Sequence, residues 1–142
     1  MPQTNPDGSA LTVGFIGAGM MGGAMLGGLI TSGTVAASNV RVFDVEPARL
    51  EALTAQHPGL ATVSSNAHVG LADVVIIAVE PKDCEEVCAE LVTAGSRAIF
   101  VSLAAGVTLA SLGSWLPPSS RIVRVMPNTP CTVGEMAAYA VP

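Results

Sequence analysis

Charge is scarce in this chain. Of its 142 residues, 12% are Asp, Glu, Lys or Arg, and 6 basic residues face 11 acidic ones, for a net charge of −5. So little positive charge leaves no footprint for a phosphate backbone and excludes nucleic acid as a partner. Cysteine is short as well: three residues, an odd and sparse set that makes no disulfide framework. Cys84 and Cys88 stand four apart, but a metal needs two further ligands and His57 and His68 are the only histidines. No metal site is expected, and the thiols read as reduced, in a cytoplasmic setting. Met1–Ala10 lacks Lys, Arg and any apolar run, so it is neither a secretory signal nor a transit peptide. It reads as a short mobile tail, residues 1–10, ahead of one domain over 11–142. What is abundant is apolar surface, at 50% of residues, which excludes a disordered chain and suffices for a sizeable core.

Glycine is abundant too, and unevenly placed. Eight of the 15 fall between Gly14 and Gly33, and the first forty residues carry one charge, Asp7. Leu11 to Ile30 is twenty uncharged residues, close to a bilayer span, and holds the Gly23-x-x-x-Gly27 spacing of packed membrane helices. Seven of those twenty are glycine, each roughly 1 kcal/mol worse than alanine inside a helix. No Lys or Arg flanks either end to orient a span. No membrane partner is expected.

The apolar period alternates along the chain. Short buried strands are expected at Leu11–Gly17, Val40–Asp44, Leu60–Val63, Asp73–Val79, Ala98–Leu103 and Arg121–Met126. Helices are expected at Met20–Ser32, closed by Gly33, from Pro47 to about Gln56, from about Asn66, from Pro81 to about Val92, and at Thr108–Leu116. This alternation predicts an α/β, Rossmann-like doubly wound, mostly parallel sheet with helices on both faces and strand order 3-2-1-4-5-6. After Pro127 comes Asn128-Thr129-Pro130 and an apolar stretch that stops at Pro142 without a closing helix.

Gly17-Ala18-Gly19-Met20-Met21-Gly22 fits G-x-G-x-x-G between a predicted strand and a predicted helix, the context that gives the pattern meaning. Gly17 allows the tight turn, Gly19 admits a pyrophosphate to the backbone, and Gly22 lets the helix lie on the sheet. The helix then offers free N–H groups and the positive end of its dipole to an anion. Asp44 ends the second strand, 22 residues beyond Gly22, placed to accept from an adenosine ribose. Its charge repels a 2′-phosphate and favours NADH over NADPH. Arg41 and Arg49 read as solvent-facing charges.

A ligand in such a sheet crosses the carboxyl ends of the first and fourth strands. The fourth ends at Ala78-Val79-Glu80-Pro81, where proline fixes the chain's exit, and the fifth at Ser102-Leu103-Ala104-Ala105-Gly106. These small residues suit the walls around a nicotinamide. The acids Glu80, Asp83, Glu85, Glu86 and Glu90 around Lys82 read as a solvated helix face, and Trp115 and Tyr139 as packing residues. No catalytic residue is singled out.

Together these segments resemble the pyrroline-5-carboxylate reductase family. The resemblance runs from about Val13 to the end and rests on Gly14–Ile30, AVEP (Ala78–Pro81), SLAAGVTL (Ser102–Leu109) and RIVRVMPNTPCTVGE (Arg121–Glu135). It implies that Ile16, Gly17, Ala18, Gly19, Met20, Met21, Asp44 and Asn66 hold the cofactor's phosphates and adenosine. It implies too that Ala78, Val79, Glu80, Pro81, Ala104 and Ala105 line the nicotinamide side. The implied reaction is hydride transfer from NAD(P)H to the C=N carbon of a cyclic imino acid, the small-molecule substrate, giving L-proline in the cytoplasm.

Three positions depart from the family's pattern. A small polar residue is common where Asp44 stands, lysine is usual at Glu80, and a glycine is expected where Met136 follows Glu135. Members of the family are also roughly twice as long, with a helical second half that forms a homo-oligomer and holds the substrate carboxylate. That half is not in this sequence. Two functions follow: the cofactor half of the reductase, or a free-standing dinucleotide-binding module without turnover. The β-hydroxyacid dehydrogenase group shares the glycine motif but predicts a lysine-bearing helix further along, whereas Lys82 is the one lysine here.

Overall fold

A computed structural model describes residues 2–127 and 138–141. The strands are β1 (Val13–Ile16), β2 (Val40–Phe43), β3 (Ala61–Thr62), β4 (Val74–Ile77), β5 (Ile99–Ser102), β6 (Arg121–Pro127) and β7 (Ala138–Val141). The helices are α1 (Met20–Thr31), α2 (Pro47–Gln56), α3 (Asn66–Val69), α4 (Cys84–Thr93) and α5 (Leu109–Trp115). One sheet runs β3-β2-β1-β4-β5-β6-β7. The first six strands are parallel, in the expected doubly wound order, and β7 adds an antiparallel edge with Arg124 opposite Val141. The segment from Asn128 to Met136, read above for its proline motif and missing glycine, lies outside the described residues.

Alternate side chains feed two cores. Val13 and Phe15 of β1 join Leu26, Val42 and Leu53 on the face covered by α1 and α2. Ile16, Val75 and Ile77 join Val87, Leu91, Phe100 and Leu112 on the opposite face, covered by α3, α4 and α5. Full burial of both faces is why these strands read as unbroken apolar runs. Gly14 sets the spacing of the second layer: a Cβ there would stand 2.5 Å from Val69 Cγ1 and 2.8 Å from the Val69 carbonyl. α1 ends near Gly33, whose φ of 76° is left-handed as expected. At 12 residues it falls short of a span, and among the described residues no helix is long and apolar enough to cross a membrane.

The strands leave the ladder earlier at their carboxyl ends than their apolar pattern implies. Gly17, Asp44, Ala78 and Leu103 follow the last paired residues and turn toward one end of the sheet. Pro81 opens a 3-10 turn, Pro81–Asp83, before α4 begins at Cys84. The segment read as a tail is hydrogen-bonded to the body: Gln3 N–H donates to the Thr34 carbonyl at 2.8 Å, and Asn5 Nδ2 to Asp73 Oδ2 at 3.0 Å. Asp73 Oδ2 also accepts from the Thr12 N–H and hydroxyl, both at 2.9 Å. The Asn5 amide, followed by the Thr12 backbone, holds the Asp73 carboxyl below the usual carboxylate range.

Candidate functional site

The order of the strands reverses between β1 and β4, and a cleft of about 830 Å³ opens there at the carboxyl ends of the strands. Such crevices are where doubly wound sheets take their ligands. Gly17 makes the turn out of β1 with φ 98°, and its N–H donates to the Phe43 carbonyl at 2.9 Å. On the other side Ala78 N–H donates to the Ile16 carbonyl at 2.8 Å, so the turn is clasped between β2 and β4. A Cβ on Gly17 would stand 2.5 Å from the Ala78 carbonyl oxygen, and one on Gly22 would meet the Gly17 carbonyl. Both glycines are required by the protein's own packing.

Gly19 differs. A Cβ there would meet only Arg49 Nη1, at 3.8 Å. The protein leaves that space open, and Gly19 is the N-cap of α1, with no capping side chain and no acid in the first turn. The first N–H groups of α1 therefore face the cleft with neither an internal acceptor nor a competing carboxylate. A cradle that a side chain would fill, at an uncapped helix start, fits a diphosphate.

Asp44 closes the β2 side. It is 7% exposed; Oδ2 accepts from the Ala18 N–H at 2.7 Å and lies 3.4 Å from Arg49 Nη1, while Oδ1 accepts from the Glu46 N–H at 2.8 Å. The carboxylate thus ties the glycine turn to the start of α2. The far wall comes from β4 and β5. Ser102 Oγ accepts from the Ala104 N–H at 3.3 Å, and Leu103 N–H donates to the Ile77 carbonyl at 3.0 Å, holding this turn against β4.

Thirteen of the residues singled out from the sequence converge on this cleft: Ile16, Gly17, Gly19, Met20, Met21, Asp44, Asn66, Ala78, Val79, Glu80, Pro81, Ala104 and Ala105. Ala18 does not line it; its methyl is buried in the core and its N–H goes to Asp44. Several lining residues escaped sequence reasoning. Asp83, Glu86 and Glu90 belong to the acidic face read as solvated; Asp83 and Glu86 are exposed as read, and all three also border the cleft. Arg49, read as solvent-facing, sits on Asp44. Val45, 81% exposed, and Met20, 71% exposed, stand as apolar groups at the mouth. The one available signal was position, since Val45 follows the strand-end acid and Arg49 lies on the first turn of the next helix.

Lys82 Nζ lies 3.5 Å from Glu80 Oε2, so the one lysine offsets the acid that follows β4. Cys84 and Cys88 are buried and free, and burial pushes the Cys88 thiol up to about 12 and Cys84 up as well. Neither is a nucleophile at neutral pH. Among the described residues no three His, Cys, Asp or Glu side chains gather as a metal site.

The family model described as "NADP oxidoreductase coenzyme F420-dependent" matches residues 12–106. Pyrroline-5-carboxylate reductase 3 of Xenopus laevis is 39% identical over 132 residues, covering 90% of this chain and 47% of that protein. The solved pyrroline-5-carboxylate reductase of Coxiella burnetii superposes with a TM-score of 0.84 at 34% identity, over 92% of this chain and 48% of the other. The Plasmodium falciparum pyrroline carboxylate reductase, solved with NADP bound, superposes with a TM-score of 0.79 at 26% identity, over 92% and 47%. The chain spans about half the length of each.

Proposed function

The chain belongs to the NADP oxidoreductases and among them to the pyrroline-5-carboxylate reductase family, as its N-terminal dinucleotide-binding domain, and we propose that its cleft binds NAD(P)H. The domain serves hydride transfer to the C=N carbon of 1-pyrroline-5-carboxylate, giving L-proline. The open cradle at Gly19, beneath an uncapped helix start, carries this reading. The N–H groups of α1 hold the diphosphate, Asp44 and Asn66 the adenosine side, and the backbone from Ala78 to Pro81 with Ala104 and Ala105 the nicotinamide side. When bound, NAD(P)H supplies the hydride, and a proton on the imine nitrogen makes the neighbouring carbon electrophilic. The chain's own contribution is to fix the angle of approach and keep water from that face. The setting proposed for it is the cytoplasm.

NADH is the preferred partner. Asp44 stands where a 2′-phosphate would approach, Arg49 is already paired to it, and Glu46, Glu86 and Glu90 add negative charge to the same cleft. Each raises the cost of the extra phosphate. Parallel calorimetric titrations of the 142-residue chain test both statements. Binding of NADH about tenfold or more tighter than NADPH is expected; equal or tighter NADPH binding overturns the preference, and no binding of either overturns the cleft assignment. Substrate-dependent oxidation of NADH then separates a catalyst, which turns over, from a binding module, which does not.

A further inference from the structure

Asn66 and Glu90 form a polar pair in the wall of the cleft. Asn66 begins α3 at 8% exposure, and its Nδ2 donates to Glu90 Oε2 on α4 at 3.0 Å. Its Oδ1 is buried and has no hydrogen-bond partner. The spacing of the pair is set by packing. Leu91, beside Glu90, is fully buried, and its Cδ2 comes so near Gly70 that a Cβ there would stand 2.9 Å away. α3 and α4 are therefore locked together, and Glu90 is held within reach of Asn66.

A carboxylate only accepts hydrogen bonds, whereas a carboxamide has one donating and one accepting end. Glu90 thus admits a single orientation of Asn66, nitrogen toward it and oxygen away. A buried acceptor without a donor is costly, and native structures rarely keep one that a ligand or water does not satisfy. We propose that Glu90 is a positioning residue. It fixes the Asn66 carboxamide so that Oδ1 accepts from a hydroxyl of the bound dinucleotide, a ribose being the chemistry that supplies one in this cleft. The inference rests on the dinucleotide reading of the site and adds to it a residue whose action passes through another.

Glutamine at position 90 keeps the size but offers either end, so Asn66 is free to flip. Titrating the full chain with NADH, Glu90→Gln weakens binding roughly three- to tenfold at an unchanged melting temperature, and Asn66→Ala about tenfold. Because both act through one hydrogen bond, the double variant binds no more weakly than Asn66→Ala alone. A purely structural role for Glu90 lowers the melting temperature and multiplies the losses. In the wild-type chain the Asn66 side-chain ¹⁵N resonance shifts when NADH binds, a readout that needs no variant to fold. Wild-type affinity in Glu90→Gln, multiplied losses, or an unmoved Asn66 resonance overturns the positioning role and leaves the cleft assignment standing. Failure of wild type to bind any dinucleotide overturns both.

Discussion

Three glycines of one motif answer to different masters. Gly17 and Gly22 are held by contacts within the protein, while Gly19 borders open space. Gly19→Val therefore leaves folding almost untouched and puts a branched side chain into the cradle proposed for a diphosphate. We expect NADH affinity to fall by about a hundredfold or more, with a stability change within ~0.5 kcal/mol. Calorimetry beside a urea melt checks the two halves together. The motif itself was legible from spacing, and so was Asp44. What spacing did not show is that the Asp44 carboxylate is already engaged by the Ala18 and Glu46 N–H groups and by Arg49. Side chain to backbone bonds of this kind depend on how a turn closes, and 26 residues separate Asp44 from Ala18.

At the scale of elements, period and punctuation located most of the fold. Pro47 and Gln56 bound α2 as read, and Thr108 caps α5 through a bond from the Ser111 N–H. The acidic face of α4 is solvated at Glu85 and Glu86, as read, while Glu90 is half-buried. Hydropathy separates buried from charged positions on α4, but it does not separate charge facing bulk water from charge facing a cleft. Glu86, which is exposed, and Glu90, which is half-buried, both border the cleft. Gly14 was counted as one of a cluster, yet its task lies with a different element, since it lets α3 rest on β1 against Val69. Gly14→Ala places a methyl inside that contact and should cost about 1–3 kcal/mol by overpacking. A lowered urea midpoint at unchanged slope is the expected signature, and an unchanged midpoint would mean that α3 yields freely.

For the whole molecule, one of the joints between the opening segment and the body is a carboxylate. Asp73 gathers Asn5 and Thr12, and its pKa is held below the ordinary value by those bonds. A carboxyl depressed in the folded state contributes stability that is complete above its unfolded pKa, about 3.9, and is lost as pH falls through the lower folded value. Asp73→Asn should cost ~1 kcal/mol at neutral pH, after allowance for solvent screening, and the difference from wild type should vanish in strong acid. Urea midpoints measured down the pH scale check it; a difference that persists in acid would assign the loss to packing instead.

The two margins of the sheet bear on how the molecule behaves in a crowd. On one side β3 pairs over only two residues, Ala61 and Thr62, so it offers a stranger little backbone to grip. On the other, β7 runs against β6 from Ala138 to Val141 and reverses the strand direction that a seventh parallel neighbour would need. Open margins are where sheets fuse into aggregates. Among the described residues the β3 margin is too short to seat another strand, so it is along β7, whose outer backbone can pair with a strand of either direction, that the sheet can be extended.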